Sequence, residues 1–136
     1  MKRFEFIEHT ADVGLIAYGE TLAEAFASAA YGMFSIIAEL DAVQETELRR
    51  VEISEDDLEG LLFEWLNSLI YFFDVEMLLF KRFDIINLEG CRLEAMCYGE
   101  KYDPSRHCLK TGVKSATYHM LKVDREKKQV RVIFDV

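Results

Sequence analysis

Proline is all but missing from this chain, with one among 136 residues, and there is no Ser/Gly-rich, repeated or low-complexity tract. A linker or a disordered tail needs that kind of composition, so the sequence reads as one folded unit. Cysteine is scarce too. Cys91, Cys97 and Cys108 are odd in number and make no CxxC pair. That argues against a disulfide framework and a zinc knuckle, and leaves buried structural thiols in a reducing compartment as the expectation. Positive charge is the third shortage: 16 Lys and Arg stand against 25 Asp and Glu, a net −9. Such a balance argues against unaided binding to a phosphate backbone, and it suits a basic protein partner or a cation. No apolar run is long enough to span a bilayer, and Met1-Lys2-Arg3-Phe4-Glu5 lacks the core of a signal peptide. A cytoplasmic protein that touches no membrane is expected.

What is present is material for a core. Apolar residues make up 51% of the chain and charged ones 30%, ordinary for a globular domain of this length. Lys2–Glu8 and Val13–Tyr18 alternate as strands. Thr21-Leu22-Ala23-Glu24 is a capping-box pattern, and Leu22, Ala25, Phe26, Ala29, Ala30, Met33, Phe34 and Ile37 behind it share one helical stripe, fading near Glu39-Leu40-Asp41. Arg49–Ile53 reads as a short strand, with Ser54 the N-cap candidate of a second helix whose first turn is crowded by acidic residues. Leu58, Leu61, Leu62, Trp65, Leu66, Leu69, Ile70 and Phe73 keep helical spacing and read as core, with Glu64, Asn67 and Ser68 on the opposite face.

From Leu78 the period changes to two. Phe80–Leu88 is a predicted strand, Glu89-Gly90 a tight turn, and Cys91, Leu93, Ala95 and Cys97 the inward face of the next strand. Gly99–His107 is polar and holds the proline, so it reads as a loop with His107 in solvent. Thr111–Asp124 and Gln129–Val136 form a predicted hairpin closed by Arg125-Glu126-Lys127-Lys128. The fold class is therefore α+β: two amphipathic helices packed on a largely antiparallel β-sheet, in a single domain.

Three places carry chemistry. Glu8-His9-Thr10-Ala11-Asp12-Val13-Gly14 gathers an imidazole, a hydroxyl and two carboxylates at a strand-to-strand junction. The bland reading is a turn with a satisfied Thr and His. In Gly112–His119, alternation puts Val113, Ser115, Thr117 and His119 on one face and Lys114, Ala116 and Tyr118 on the other. That run is either a functional strand or a partly exposed one turning polar groups to water. The chain's last residues, Phe134-Asp135-Val136, set an α-carboxylate beside a side-chain carboxylate. Two anions held together need a cation, an Arg or Lys partner, or solvent. If a cation, oxygen-only ligands such as Asp12, Asp135 and a terminal carboxylate suit Ca²⁺, Mg²⁺ or Mn²⁺ rather than Zn²⁺.

Taken in order, Glu8–Gly14, Thr21-Leu22-Ala23-Glu24-Ala25-Phe26, the Leu61–Leu69 helix, Val113-Lys114-Ser115-Ala116-Thr117-Tyr118-His119 and Ile133-Phe134-Asp135-Val136 resemble the archease family. The likeness runs over essentially the whole chain, as a single archease-like domain of residues 1–136. Archeases activate the tRNA-splicing RNA ligase that joins a 2′,3′-cyclic or 3′-phosphate end to a 5′-hydroxyl. The resemblance implies a protein that promotes guanylylation of the ligase's active-site histidine and allows multiple turnover, while the ligase itself holds GTP, Mn²⁺ and RNA. It implies a divalent-metal site on Asp12, Asp135 and the carboxylate of Val136, with Ca²⁺ the typical occupant. By carry-over of motif positions, His9, Lys114 and His119 become candidates for that site's surroundings. No direct nucleic-acid binding by the isolated protein is implied.

Two other readings stand beside it. A stand-alone metal-dependent phosphoester hydrolase would use Asp12 and Asp135 with His9 or His119 as base, and would turn over substrate without a partner. A chaperone-like binding module would need no cation and would be indifferent to EDTA.

Overall fold

The computed structural model describes residues 3–9 and 12–136, apart from the side chains of Glu8 and His9. Among the described residues the order is β1 (Phe4–His9), β2 (Asp12–Tyr18), α1 (Leu22–Ile37), β3 (Glu47–Ser54), α2 (Leu58–Glu76), β4 (Leu78–Glu89), β5 (Arg92–Lys101), β6 (Ser115–Asp124) and β7 (Gln129–Asp135). All pairing is antiparallel, as the α+β reading expects. The strands divide into two sheets, β1-β2-β7-β6 and β3-β5-β4, a split that alternation along the sequence does not announce.

The helix α1 begins as its sequence dictates. Thr21 is extended and its side chain accepts the Glu24 N–H, while the Glu24 carboxylate takes the Thr21 N–H, so two amides at the helix start are satisfied reciprocally. The helix lies between the sheets. Its small residues Ala25, Ala29 and Ala30 are fully buried, and Phe34 meets Phe80 of β4 edge-on at 5.7 Å. It ends at Ile37, slightly before the expected fade, because Ala38 turns extended and bridges to Leu109.

The second helix begins at Asp57, not Ser54. Ser54 is still extended and paired with Arg92, so it belongs to β3, and the carboxylate of Asp57 accepts the Gly60 N–H at 2.6 Å. The predicted stripe is core: Leu61, Leu62, Trp65, Leu66 and Leu69 are fully buried. Trp65 also satisfies its one polar atom, donating Nε1–H to the Phe26 carbonyl of α1 at 3.0 Å. That bond locks the two helices together at the centre of the molecule.

Three boundaries in the second half shift. The β4–β5 turn is Gly90-Cys91 rather than Glu89-Gly90, since Glu89 pairs with Arg92 and Gly90 takes the left-handed φ of 58°. Leu93, Ala95 and Cys97 do point inward as expected, whereas Cys91 sits in the turn, half-exposed. Gly99–Lys101 continues β5, polar as it is, because the strand is held on both sides by Glu47 and by Leu78–Phe80. Residues 111–114, expected as strand, precede β6 without entering it.

Candidate functional site

Register builds the site. On β2, Val13, Leu15 and Ala17 face the core, and on β7 their partners Phe134, Val132 and Val130 do the same. A slip of one residue would turn both apolar sets to solvent, so the pairing is fixed by burial. Fixed this way, it sets Asp12 directly opposite Asp135. The same row continues to the backbone of His9 on β1 and to Ser115 on β6. Facing residues of an antiparallel pair put their side chains on one face, with Cβ atoms about 4.5–5.5 Å apart. Asp12 is half-buried and Asp135 exposed. The structure thus brings together two carboxylates more than a hundred residues apart in the sequence.

Lys114 joins them through its backbone, donating its N–H to the Asp135 carbonyl at 2.8 Å, with its side chain in solvent. Val136 follows directly, half-exposed. The His9 side chain, Thr10 and Ala11 lie outside the described residues. Among the described residues, no group of three or more His, Cys, Asp and Glu could hold a metal ion. The donors the row offers a cation are the two carboxylates and neighbouring backbone oxygens. Like charges set opposite each other are unfavourable, and an all-oxygen set matches a hard divalent ion. On chemistry the residues fit such an ion.

The expected alternation through Gly112–His119 holds only in part. Ser115 and Thr117 do lie on the face opposite buried Ala116, whereas Val113, expected beside Ser115, is buried ahead of the strand. Beyond Thr117, which pairs with Ile133, the next paired residue is Lys122, opposite Arg131, so β6 carries three more residues than β7 across the break. His119 sits in this bulge, exposed and outside the paired row, and Met120 takes a left-handed φ of 56°. The bulge is anchored: Arg131 Nε–H donates to the Met120 carbonyl at 2.8 Å, and Tyr118 stacks on Phe63 of α2 at 4.1 Å.

His107 corrects the sequence reading most sharply. Expected in solvent, it is buried, because the loop after β5 folds back over it. Its Nδ1 accepts the Asp103 N–H at 2.8 Å, so the ring proton sits on Nε2 and is donated to Glu100 Oε1 at 2.9 Å. Arg106 and the Gln44 N–H also bind the Glu100 carboxylate. With Arg106 the main cause, then Gln44 and His107, the Glu100 carboxyl is held down to about 2. The only hint in the sequence is the charge sequence Glu100…Asp103…Arg106-His107 around Pro104. The thiols also depart from expectation: Cys97 alone is buried, its pKa pushed up to about 12 by desolvation, while Cys108 is exposed.

Comparison with known proteins places this geometry in a family. The model of the archease protein family matches residues 4–136. Protein archease of Sulfurisphaera tokodaii is 42% identical over 127 residues, covering 93% of this chain and 91% of the relative. That of Pyrococcus abyssi is 41% identical over 128 residues, covering 92% and 90%. The solution structure of Methanobacterium thermoautotrophicum protein 1598 superposes with a TM-score of 0.79 at 36% identity over 100% of both chains. A Thermotoga maritima archease, described as a possible chaperone, shares the fold with a TM-score of 0.63 at 24% identity over 96% of this chain and 94% of its own. This chain belongs to the archease family.

Proposed function

We propose that this protein is a non-catalytic activator of an RNA ligase of the tRNA-splicing type, promoting guanylylation of the ligase and its repeated turnover. The reading rests on family membership and on one observation above the others, the register that sets Asp12 opposite Asp135 on an accessible sheet face. Asp12, Asp135 and the α-carboxylate of Val136 would hold a divalent cation, Ca²⁺ first and Mg²⁺ or Mn²⁺ as alternatives. When bound there, the cation supplies a positive charge that can bridge to anionic groups of the partner. The chain's own part is to present oxygens on a rigid sheet, held by strands whose inner faces are core. A net charge of −9 favours encounter with the basic, RNA-handling surface of a ligase, and raises the rate of meeting more than the final affinity.

The experiment is a guanylylation time course of the cognate ligase with GTP and Mn²⁺. It compares no addition, the intact protein, D12N, D135N, and a form lacking the last two residues. Acceleration by the intact protein and by none of the three variants is expected. Equal acceleration by all four forms would keep the partner role and discard the carboxylate site. No acceleration by the intact protein would discard the role.

A further inference from the structure

The acidic balance of this chain hides a local reversal. From Lys114 to Arg131 six basic side chains (Lys114, Lys122, Arg125, Lys127, Lys128, Arg131) stand against Asp124 and Glu126 alone, in a chain of net −9. Three of these cations converge. A shallow cavity of about 230 Å³ on the four-stranded sheet is lined by Lys122, Lys127 and Arg131, with Ile16, Gln129 and Asp124 among its other walls.

The strands put them there. Ile16 pairs with Arg131 and Arg131 with Lys122, so the three form a row across β2, β7 and β6. Ile16 and Arg131 each lie four residues from Asp12 and Asp135, so the row is on the sheet face that bears the paired carboxylates, about 13 Å along at a strand rise of about 3.3 Å per residue. Among the described residues none of the three cations is in an ion pair. Asp124 is occupied by the turn, its Oδ1 accepting the Lys127 N–H at 3.0 Å. Among the described residues Arg131 spends only Nε–H, on the Met120 carbonyl, which fixes the guanidinium and leaves both Nη groups to donate.

We infer that Lys122, Lys127 and Arg131 form a phosphate-binding subsite on the same sheet face as Asp12 and Asp135. A guanidinium anchored at Nε presents a planar fork that matches two oxygens of a phosphate, and two ammonium groups supply charge for the others. The phosphate group is carried either by an RNA strand or by a free nucleotide. This deepens the proposed role, giving that face a second, anionic ligand class, and it rests on that reading for the source of the phosphate but not for the subsite itself.

The test titrates the ¹⁵N-labelled full chain with inorganic pyrophosphate and follows backbone amides. Saturable shifts at Lys122, Gln129 and Arg131, with none at the distant Glu100–His107 cluster, are expected. Binding should weaken about tenfold or more in K122Q/K127Q, which leaves the Arg131 anchor to the bulge intact. D12N/D135N, which tests the activator role, should bind pyrophosphate no worse than the unmodified chain, so the two ideas fail separately. Short single-stranded RNA and GTP, titrated in parallel, decide the source: whichever competes better with pyrophosphate carries the phosphate. Unsaturable shifts, shifts unchanged in K122Q/K127Q, or tighter binding of an oligoglutamate peptide than of pyrophosphate would overturn the subsite.

Discussion

Asn67 of α2 accepts the N–H of Ala116 on β6 through its side-chain oxygen, at 2.9 Å. Two turns earlier on the same ridge, Glu59 Oε2 accepts the Val123 N–H at 2.9 Å, and between them Phe63 stacks on Tyr118. β6 is the edge of its sheet. An edge strand exposes a row of amides that can recruit another chain, and here helix side chains cap them instead. The face of α2 that looks merely solvent-facing by composition is the fastening of the four-stranded sheet.

Replacing Asn67 by Ala leaves the Ala116 amide without its acceptor in a partly buried place, which costs about 1–3 kcal/mol. N67D keeps the oxygen and should retain most of the stability. Urea unfolding checks both, with the loss expected in the midpoint and not in the slope. An N67A midpoint equal to the unmodified one would show that the helix does not hold this edge.

The opposed carboxylates make a second expectation. A cation held by Asp12 and Asp135 binds the folded state alone, so Ca²⁺ should raise Tm relative to EDTA. D135N should abolish that rise. In EDTA, D135N should be at least as stable as the unmodified protein, because like charges directly opposite on a sheet cost about 0.2–1 kcal/mol. Scanning fluorimetry with and without Ca²⁺ reads both effects, and a calcium shift preserved in D135N would move the cation elsewhere.

Thiol chemistry should follow burial. Cys97 is buried with its pKa pushed up to about 12, so almost none of it is thiolate at neutral pH, while Cys108 is exposed. Native protein treated with a chromogenic disulfide should modify Cys108 quickly and the half-exposed Cys91 more slowly. Cys97 should react only once denaturant is added. Rapid release of three equivalents from folded protein would contradict the packing of β5.

Much of this was legible in the residues, for physical reasons. The capping box at Thr21 and the Trp65 stripe are local signals that tertiary context reinforces, so both appear where periodicity puts them. The start of α2 was not legible, because Ser54 and Asp57 are both good caps and only the pairing of Ser54 with Arg92 decides between them. The division into two sheets is a property of strand partners, which alternation does not encode. Asp12 and Asp135 were each visible as carboxylates, yet their meeting depends on a long-range register set by the apolar faces of β2 and β7. His107 was misread because polar neighbours usually mean solvent, and here they are its hydrogen-bond partners.

The Glu100–His107 pair should govern acid stability. The Glu100 carboxyl is lowered from 4.5 to about 2 in the folded protein, chiefly by Arg106. A depressed carboxyl stabilises the fold above its unfolded value, and that contribution fades as pH falls through the folded one. Its loss is therefore expected between about pH 4.5 and pH 2. In E100Q the neutral amide cannot match the Arg106 contact or accept as strongly from His107 and Gln44. Its Tm at pH 7 should fall below that of the unmodified chain, and the gap should close as the pH approaches 2. Thermal melts of both proteins across that range provide the check. A gap that stays constant with pH would mean that Glu100 acts here by shape and packing, with its charge contributing nothing to its contacts with Arg106 and His107.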